Sequence, residues 1–284
     1  ESGSGKSVSF LGVLGLLPSN AHIEGSATVN GIQMVGASNR TMRSIRGRQV
    51  AMIFQDPLSA LNPVYRIGDQ IVEMINVHQD LSKKQAMARA VELLDIVGIP
   101  QPKTRAEQYP HEFSGGMRQR AMIAMALAND PDVLIADEPT TALDVTVQAQ
   151  ILELLRSLRA RLHKAVVLIT HDLGVIARVA DRVQVMYAGR VVERAVVDDV
   201  FAAPSHPYTM GLLKSLARAG VERLHPIVGS PPNMLRPPPG CAFAARCEYA
   251  QDECLTASAA LVPHGASQTA CVRINQLDAE GVGV

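Results

Sequence analysis

A phosphate-binding loop that lacks only its first glycine is formed by the first seven residues, Glu1-Ser2-Gly3-Ser4-Gly5-Lys6-Ser7. Glycines in such a loop let backbone N–H groups point inward and cradle phosphate oxygens at the N-terminus of a helix. Lys6 would then reach the β- and γ-phosphates of a nucleotide, and the Ser7 hydroxyl would bind Mg²⁺. A flexible Gly/Ser linker is the alternative, but the apolar helix predicted from Val8 argues against it.

A pair of carboxylates follows an apolar run that we predict to be a strand, Asp132-Val133-Leu134-Ile135-Ala136-Asp137-Glu138-Pro139. Asp137 could hold Mg²⁺ through a water molecule, and Glu138 could polarise the water that attacks a γ-phosphate. A solvated turn or a helix N-terminus explains an Asp-Glu pair equally well. Taken alone, the pair leaves both explanations open.

A second anion site is indicated by Ser114, Gly115 and Gly116, which open a predicted helix. A hydroxyl and bare backbone N–H groups at the positive end of a helix attract negative charge. An ordinary helix cap is the alternative for this short pattern. The sequence therefore contains two candidate phosphate sites.

These side chains must be positioned by strands and helices. Three short β-branched runs end at polar residues: residues 50–54 before Gln55, residues 133–136 before Asp137, and residues 166–170 before His171. Open α/β sheets place ligands at the carboxyl ends of their strands, so the three ends are expected to converge on one crevice.

Two helices and a hairpin are also predicted. Ser82 and Gln85 form a capping box, and Gly98 with Pro100 ends that helix. A second helix runs from about Val145 to Leu162 with an apolar face for packing on the sheet. Two further runs, 183–187 and 190–193, are typical of a hairpin.

Composition limits the class of protein and its partners. The chain has 284 residues with 27 basic and 27 acidic side chains, and this balance gives no basic footprint for nucleic acid. Its longest apolar stretches fall far short of the roughly 18 residues that cross a bilayer. Length predicts two units, and proline becomes dense after Pro204, so we predict a main domain over 1–203 and a C-terminal extension over 204–284.

Four cysteines are confined to the C-terminal part, at Cys241, Cys247, Cys254 and Cys271. A proline-rich segment with little apolar content cannot build its own core, so a metal staple is expected there. Tetrathiolate zinc and an iron–sulfur cluster both use four cysteines, although the wide spacing is unusual for zinc. Two disulfides are the remaining alternative, which a reducing compartment disfavours.

The series of motifs resembles the ABC transporter ATPases over nearly the whole chain. The series consists of the phosphate-binding loop, Gln55, Ser114-Gly115-Gly116, Asp137-Glu138, Ala142-Leu143-Asp144 and His171, in that order. The resemblance implies an α/β fold, namely a P-loop ATPase with a RecA-like core in residues 1–203 and a helical subdomain at about residues 60–128. The extension over 204–284 is expected to be a small Cys-rich C-terminal lobe.

The same resemblance implies a role for each motif. Gln55 would link Mg²⁺ to membrane subunits, His171 would contact the γ-phosphate, and Asp144 would lie between two protomers. The serine-glycine motif would complete the ATP site of the opposite protomer. The expected catalytic residues are Glu138, His171 and Gln55; the expected Mg²⁺ ligands are Ser7, Gln55 and Asp137; the expected ATP-binding residues are Ser2, Gly3, Ser4, Gly5, Lys6, Ser7, Gln55, Ser114, Gly115, Gly116 and Asp144.

A narrower resemblance is to the dipeptide/oligopeptide importer ATPases. It rests on residues 54–63, 113–120, 205–209 and 239–243, and on Met117 where the wider family usually has glutamine. It implies a peripheral ATPase at the cytoplasmic face of the inner membrane that energises peptide uptake. The implied partners are a second homologous ATPase subunit, forming a heterodimer, two permeases and a periplasmic or lipoprotein substrate-binding protein. It also favours a [4Fe–4S] cluster over zinc at the four cysteines.

Three alternatives remain. A nickel importer of the same group is the nearest. Soluble ABC ATPases that act on DNA or ribosomes typically carry long coiled-coil insertions or two cassettes, and this sequence has neither. A redox sensor with a vestigial nucleotide site is disfavoured by the intact series Lys6, Gln55, Glu138 and His171.

An upstream extension is expected because the phosphate-binding loop needs a central strand leading into it. We expect the native protein to extend beyond Glu1 by roughly two or three strands of about 5–6 residues with their turns. The aromatic residue that stacks on adenine would lie there. Residues 1–284 alone should therefore bind ATP poorly.

Overall fold

The computed structural model describes residues 3–141, 143–162, 164–216, 226–257 and 260–282. The chain divides into two compact units. The first is Ser7–Thr170, and the second combines Glu1–Lys6 with His171–Val284. Within the described part of the chain, no helix has the length and apolar character needed to cross a membrane.

The first unit combines a small hairpin, a three-stranded sheet and most of the long helices. Its strands are β1 (Thr28–Val29), β2 (Ile32–Gln33), β3 (Val50–Ile53), β4 (Val133–Asp137) and β5 (Ala165–Ile169). Its helices are α1 (Lys6–Val13, whose first residue belongs to the other unit), α2 (Asn39–Ile45), α3 (Pro57–Ala60), α4 (Ile67–Asn76), α5 (Lys83–Ile96), α6 (Pro102–Ala106), a 3₁₀ turn (Pro110–Glu112), α7 (Gly115–Ala126) and α8 (Val145–Leu162).

The three-stranded sheet is parallel, with the order β3-β4-β5. Alternate residues belong to two separate apolar clusters: Leu134 packs with α4, α5 and α7, whereas Ile135 packs with α2 and residues near α1. Both faces of the sheet are therefore covered, which explains why its strands are continuous apolar runs. The three strands end at the same edge of the sheet, whereas the expectation that their ends form one crevice with His171 stays a prediction.

Both helices predicted in this unit are present. Ser82 and Gln85 form the capping box of α5, each side chain bonding to the backbone N–H of the other. Gly98 follows α5 at φ +74°, a conformation that glycine adopts freely. Along α8, Ile151, Leu154, Leu155 and Leu158 are all buried.

The second unit is built around a four-stranded sheet with the order β6-β7-β9-β8. Its core holds an aromatic cluster of Tyr187, Tyr208 and Phe243, with ring centroids 4.6 to 5.4 Å apart. Its elements are α9 (Leu173–Val179), β6 (Arg182–Tyr187), β7 (Arg190–Val196), α10 (Val197–Ala202), α11 (Pro207–Lys214), a 3₁₀ turn (Ala244–Arg246), α12 (Asp252–Thr256), β8 (Val262–His264), β9 (Ser267–Thr269) and α13 (Ile274–Ala279).

The predicted hairpin is β6-β7, whose turn residues Ala188 and Gly189 have φ of +47° and +75°. Two positive φ values in a two-residue loop match the right-handed twist of the strands. Strand β9 then pairs with β7 through Glu193 and Thr269. Because the C-terminal residues extend this sheet, a separate Cys-rich lobe is not confirmed. The boundary near residue 203 stays a prediction.

Candidate functional site

Ser7 and Asp137 are in direct contact within the first unit. Ser7 lies in the first turn of α1, and Asp137 is the last residue of β4 and is only 6% exposed. The Ser7 hydroxyl donates a hydrogen bond of 2.8 Å to Asp137 Oδ1. Two oxygen groups separated by 130 positions in sequence therefore meet at the carboxyl end of the sheet.

Gln55 and Glu138 form the adjacent pair. Ile53 is paired with Ala136 across the β3-β4 ladder, so the residues two positions further along reach the same edge. There the Gln55 amide donates from Nε2 to Glu138 Oε2 over 2.9 Å. Two of the three expected catalytic side chains, Gln55 and Glu138, are thus in contact.

The backbone of Glu138 adopts φ +44°, the left-handed region that favours glycine. Its N–H donates to the carbonyl of Ile169 at the end of β5, over 2.9 Å. Its side chain also accepts from the Thr141 hydroxyl, again over 2.9 Å at Oε2. The backbone and the carboxylate of Glu138 are therefore each fixed by a hydrogen bond.

The candidate phosphate-binding loop lies mostly in the second unit. Gly3 and Gly5 have φ of +79° and +85°, and the N–H of Gly189 donates to the Ser4 carbonyl over 3.0 Å. Lys6 begins α1, as a phosphate-binding loop requires. Ser2 lies outside the described residues.

The serine-glycine motif opens α7 as predicted. The Ser114 hydroxyl accepts a hydrogen bond of 3.3 Å from the N–H of Met117, so the ordinary helix cap is also realised. A Cβ on Gly116 would lie 2.7 Å from Val147 Cγ1 of α8, so any larger residue there would require Val147 to shift. Asp144 caps α8 by accepting from the N–H of Val147 over 2.9 Å.

His171 follows β5 in sequence and is exposed in the second unit. Its neighbour Asp172 caps α9, accepting from Gly174 and Val175 over 2.8 and 3.2 Å. Ala142, which belongs to the motif with Leu143 and Asp144, lies outside the described residues.

The four-cysteine metal site is a wrong prediction. Across the described ranges, which include all four cysteines, no group of three or more His, Cys, Asp or Glu side chains is arranged to hold a metal ion. All four are free thiols: Cys241, Cys247, Cys254 and Cys271.

The reason lies in the space around these thiols. They line a pocket with Phe243 and Leu277 that holds a cavity of about 20 Å³, room for roughly one water molecule. Burial raises the pKa of Cys247 and of Cys271 to about 11, so both side chains are neutral thiols in this pocket near pH 7. The cysteines pack here as small apolar side chains.

Three features of the two units were not predicted from the sequence. Thr141 contacts Glu138, and its position three residues after the carboxylate is the only signal that could have suggested this. Val147 packs against Gly116, where its Cγ1 would be 2.7 Å from an added Cβ. Glu193 is fully buried on β7 and accepts from the N–H groups of Ser205 and His206 over 2.7 and 3.0 Å.

Family models match two parts of the chain. Residues 1–141 match the model "ABC transporter", and residues 192–254 match "Oligopeptide/dipeptide transporter, C-terminal region". Together with the relatives described next, these matches show that the chain belongs to the ABC transporter family.

Several relatives carry the name "Oligopeptide transport ATP-binding protein OppD", among them the two described here. The protein of Mycobacterium tuberculosis is 54% identical over 278 residues, which is 96% of this chain and 45% of that protein. The protein of Bacillus subtilis is 53% identical over 88% of this chain and 71% of its own length. The chain thus spans less than half the length of its mycobacterial relative.

Among solved structures, the fold is similar to the dimeric post-hydrolysis state of the ATP-binding cassette MJ0796 bound to ADP and Pi. The TM-score is 0.60 at 30% identity, covering 69% of this chain and 82% of that one. The match extends the family assignment from sequence to mixed α/β architecture.

Proposed function

We propose that this chain is the ATP-hydrolysing subunit of an ABC importer that drives uptake of di- or oligopeptides across the cytoplasmic membrane. The observation that carries the proposal is the paired arrangement of Ser7 with Asp137 and of Gln55 with Glu138 at one sheet edge. The names of the relatives favour peptides as cargo over nickel, and a transporter over a soluble ATPase.

Mg²⁺ fits the residues present at this edge. It is a hard cation that prefers oxygen ligands, and Ser7, Asp137 and the Gln55 amide offer a hydroxyl, a carboxylate and a carbonyl oxygen. When bound with ATP, Mg²⁺ supplies neutralisation of the charge that develops on the phosphates. Gly3 and Gly5, with positive φ, suit a loop whose N–H groups surround phosphate.

The residues of this chain would divide the reaction among them. Glu138 accepts a proton from the attacking water, and the Gln55 amide orients that carboxylate. Lys6 and His171 contribute positive charge or a hydrogen bond to the γ-phosphate. In the assembled protein, the helix that begins after Ser114 would face the nucleotide of a second subunit.

The proposed partners follow from the same assignment. A second homologous ATPase would complete the nucleotide sites, and the similarity to a dimeric cassette bound to ADP and Pi supports this pairing. Two permeases and a periplasmic or lipoprotein substrate-binding protein would complete the importer. The chain would then act as a peripheral subunit at the cytoplasmic face of the membrane, with helices α3 to α7 as the subdomain that meets the permeases.

Substituting the proposed base tests the assignment. Glu138→Gln in the full-length protein, assembled with its partner subunits, should retain ATP binding but lose most phosphate release, because an amide does not accept a proton as a carboxylate does. The loss should be at least about a hundredfold, the scale at which general bases act. Phosphate release and retention of labelled ATP on the complex measure the two effects.

A matched control is Glu153→Gln on α8, because this glutamate is exposed and pairs only locally with Arg156. It should hydrolyse ATP and drive peptide uptake into proteoliposomes as the unchanged protein does. Turnover by Glu138→Gln near the level of the control would refute the proposed role.

A further inference from the structure

The hydroxyl of Thr141 contacts the carboxylate of Glu138, the proposed base. Thr141 Oγ1 donates to Glu138 Oε2 over 2.9 Å, and Gln55 Nε2 donates to the same oxygen over the same distance. Two donors from opposite directions in the sequence thus converge on one atom. Such convergence restricts rotation of the carboxylate more than either bond alone.

The backbone explains how Thr141 reaches this position. Glu138 is held at φ +44° with its N–H on the Ile169 carbonyl, and the N–H of Thr141 donates to the Glu138 carbonyl over 3.1 Å. This tight turn directs the chain back across the end of β4. A threonine at the turn's last position can therefore bond to the side chain of its first.

We propose that Thr141 is a positioning residue that fixes the orientation of the Glu138 carboxylate for ATP hydrolysis, which rests on the proposed role of Glu138 as the base. Thr141 also lies three residues before Asp144, the N-cap of α8. The hydroxyl therefore connects the reacting carboxylate to the segment that starts α8. Movement of that segment would change the orientation of the carboxylate directly.

The test is the isosteric change Thr141→Val, which removes the donor and keeps the shape. In the full-length protein assembled with its partners, kcat for ATP hydrolysis should fall about tenfold, equal to about 1.4 kcal/mol in the barrier. KM for ATP should change less than about twofold, because the hydroxyl acts on the base and not on the nucleotide. Thr141→Ser, which keeps the donor, should restore kcat.

A double variant separates positioning from a merely structural role. If Thr141 acts through Glu138, adding Thr141→Val to Glu138→Gln should cause no further loss of turnover. Exposed Thr146 in the first turn of α8 gives the matched control, since Thr146→Val makes the same chemical change nearby. If circular dichroism shows that Thr141→Val does not fold, Thr141→Ala takes its place in the test, because it removes the same hydroxyl.

Three results would overturn the inference: unchanged kcat in Thr141→Val, a rise in KM in place of the fall in kcat, or a Thr141→Ser variant as impaired as the valine. If kcat is unchanged in Thr141→Val while Glu138→Gln is inactive, the positioning role of Thr141 is refuted and the role of Glu138 as the base stands. Normal turnover in Glu138→Gln would refute the proposed role of Glu138 as the base, whereas absence of ATP hydrolysis in the unchanged, assembled protein would refute the proposed function itself.

Discussion

At the scale of single residues, the second unit contains a buried histidine that must stay neutral. His206 is 1% exposed, and burial lowers its pKa from 6.5 to about 4. Its Nδ1 accepts from the N–H of Tyr208 over 3.1 Å and so caps α11. Protonation at Nδ1 would replace this acceptor by a donor. The folded state therefore binds a proton less readily than the unfolded chain.

The consequence is a loss of stability in acid. Above about pH 6.5, His206 is neutral in both the folded and the unfolded protein. Below that pH, His206 takes up a proton first in the unfolded chain, so the free energy of unfolding falls until about pH 4. The difference between the two pKa values corresponds to about 3 kcal/mol at 1.36 kcal/mol per unit. His206→Asn keeps a capping acceptor without a titrating group. Urea unfolding at a series of pH values should show a smaller acid loss for this variant.

Burial raises the pKa of the neighbouring Glu193 carboxyl group. Comparing His206→Asn with the unchanged protein separates the contribution of the histidine from that of Glu193. Glu193 contributes the opposite dependence, stabilising the fold more when protonated, and this contribution is common to both proteins. Exposed His22, which lies in the first unit, is the position of the matched control substitution His22→Asn. Identical slopes in His206→Asn and the unchanged protein would contradict the argument.

At the scale of elements, the start of α7 is packed against α8. Gly116 has space for no Cβ because Val147 Cγ1 would lie 2.7 Å away, whereas a Cβ on Gly115 would meet Leu143 at an ordinary 3.7 Å. The same Val147 is bonded through its N–H to the cap Asp144. This close contact therefore joins the two helices at the serine-glycine and aspartate motifs, and a hydrogen bond of 3.2 Å from Arg120 to Gln150 joins them further along.

Gly116→Ala should lower the free energy of unfolding by about 1–3 kcal/mol, the usual cost of overpacking. Adding Val147→Ala should recover part of that loss, because it removes the methyl group that clashes. Gly115→Ala is the matched control and should unfold close to the unchanged protein. Urea unfolding compares these variants with Val147→Ala alone and with the unchanged protein, and additive effects of Gly116→Ala and Val147→Ala would contradict the predicted contact.

At the scale of the whole molecule, the C-terminal residues complete the sheet of the second unit. β9 covers the edge of β7, the Thr269 hydroxyl donates to the Ser205 carbonyl over 3.2 Å, and α13 buries Ile274 and Leu277. An uncovered edge strand is a template for aggregation. The C-terminal part is therefore integral to the unit.

Removing the residues after Leu261 should lower the melting temperature and promote aggregation. The change exposes the edge of β7 and deletes several buried side chains, of which Ile274 and Leu277 are each worth about 1.5–3 kcal/mol. Removing only the residues after Glu280 is the control, because it keeps every strand and helix that the structure describes, the last of which ends at Ala279. Thermal melting followed by light scattering compares them, and equal melting curves would contradict a structural role for β8 and β9.

The sequence predicted the elements whose signals are local. Capping at Ser82, the hairpin at Ala188 and the buried parallel strands all follow from residue types a few positions apart. The β7-β9 pairing joins Glu193 to Thr269. Strand β9 has only three residues and pairs on its other side with β8, which contains Pro263, so it has no alternation of apolar and polar residues from which it could be predicted. The cysteine prediction was wrong because four thiols close in sequence do not specify the volume between them. Thr141 was missed because a turn, not a motif, brings it to Glu138.

The backbone conformation of Glu138 opposes selection for stability to selection for activity at this residue. A glutamate at φ +44° stores strain, of order 1–3 kcal/mol, that a glycine would release. The substitution that most relaxes the fold at this position would remove the carboxylate that the proposed chemistry requires. Variants selected only for thermal robustness would therefore drift toward loss of turnover here, so this residue marks where stability and activity evolve in opposition.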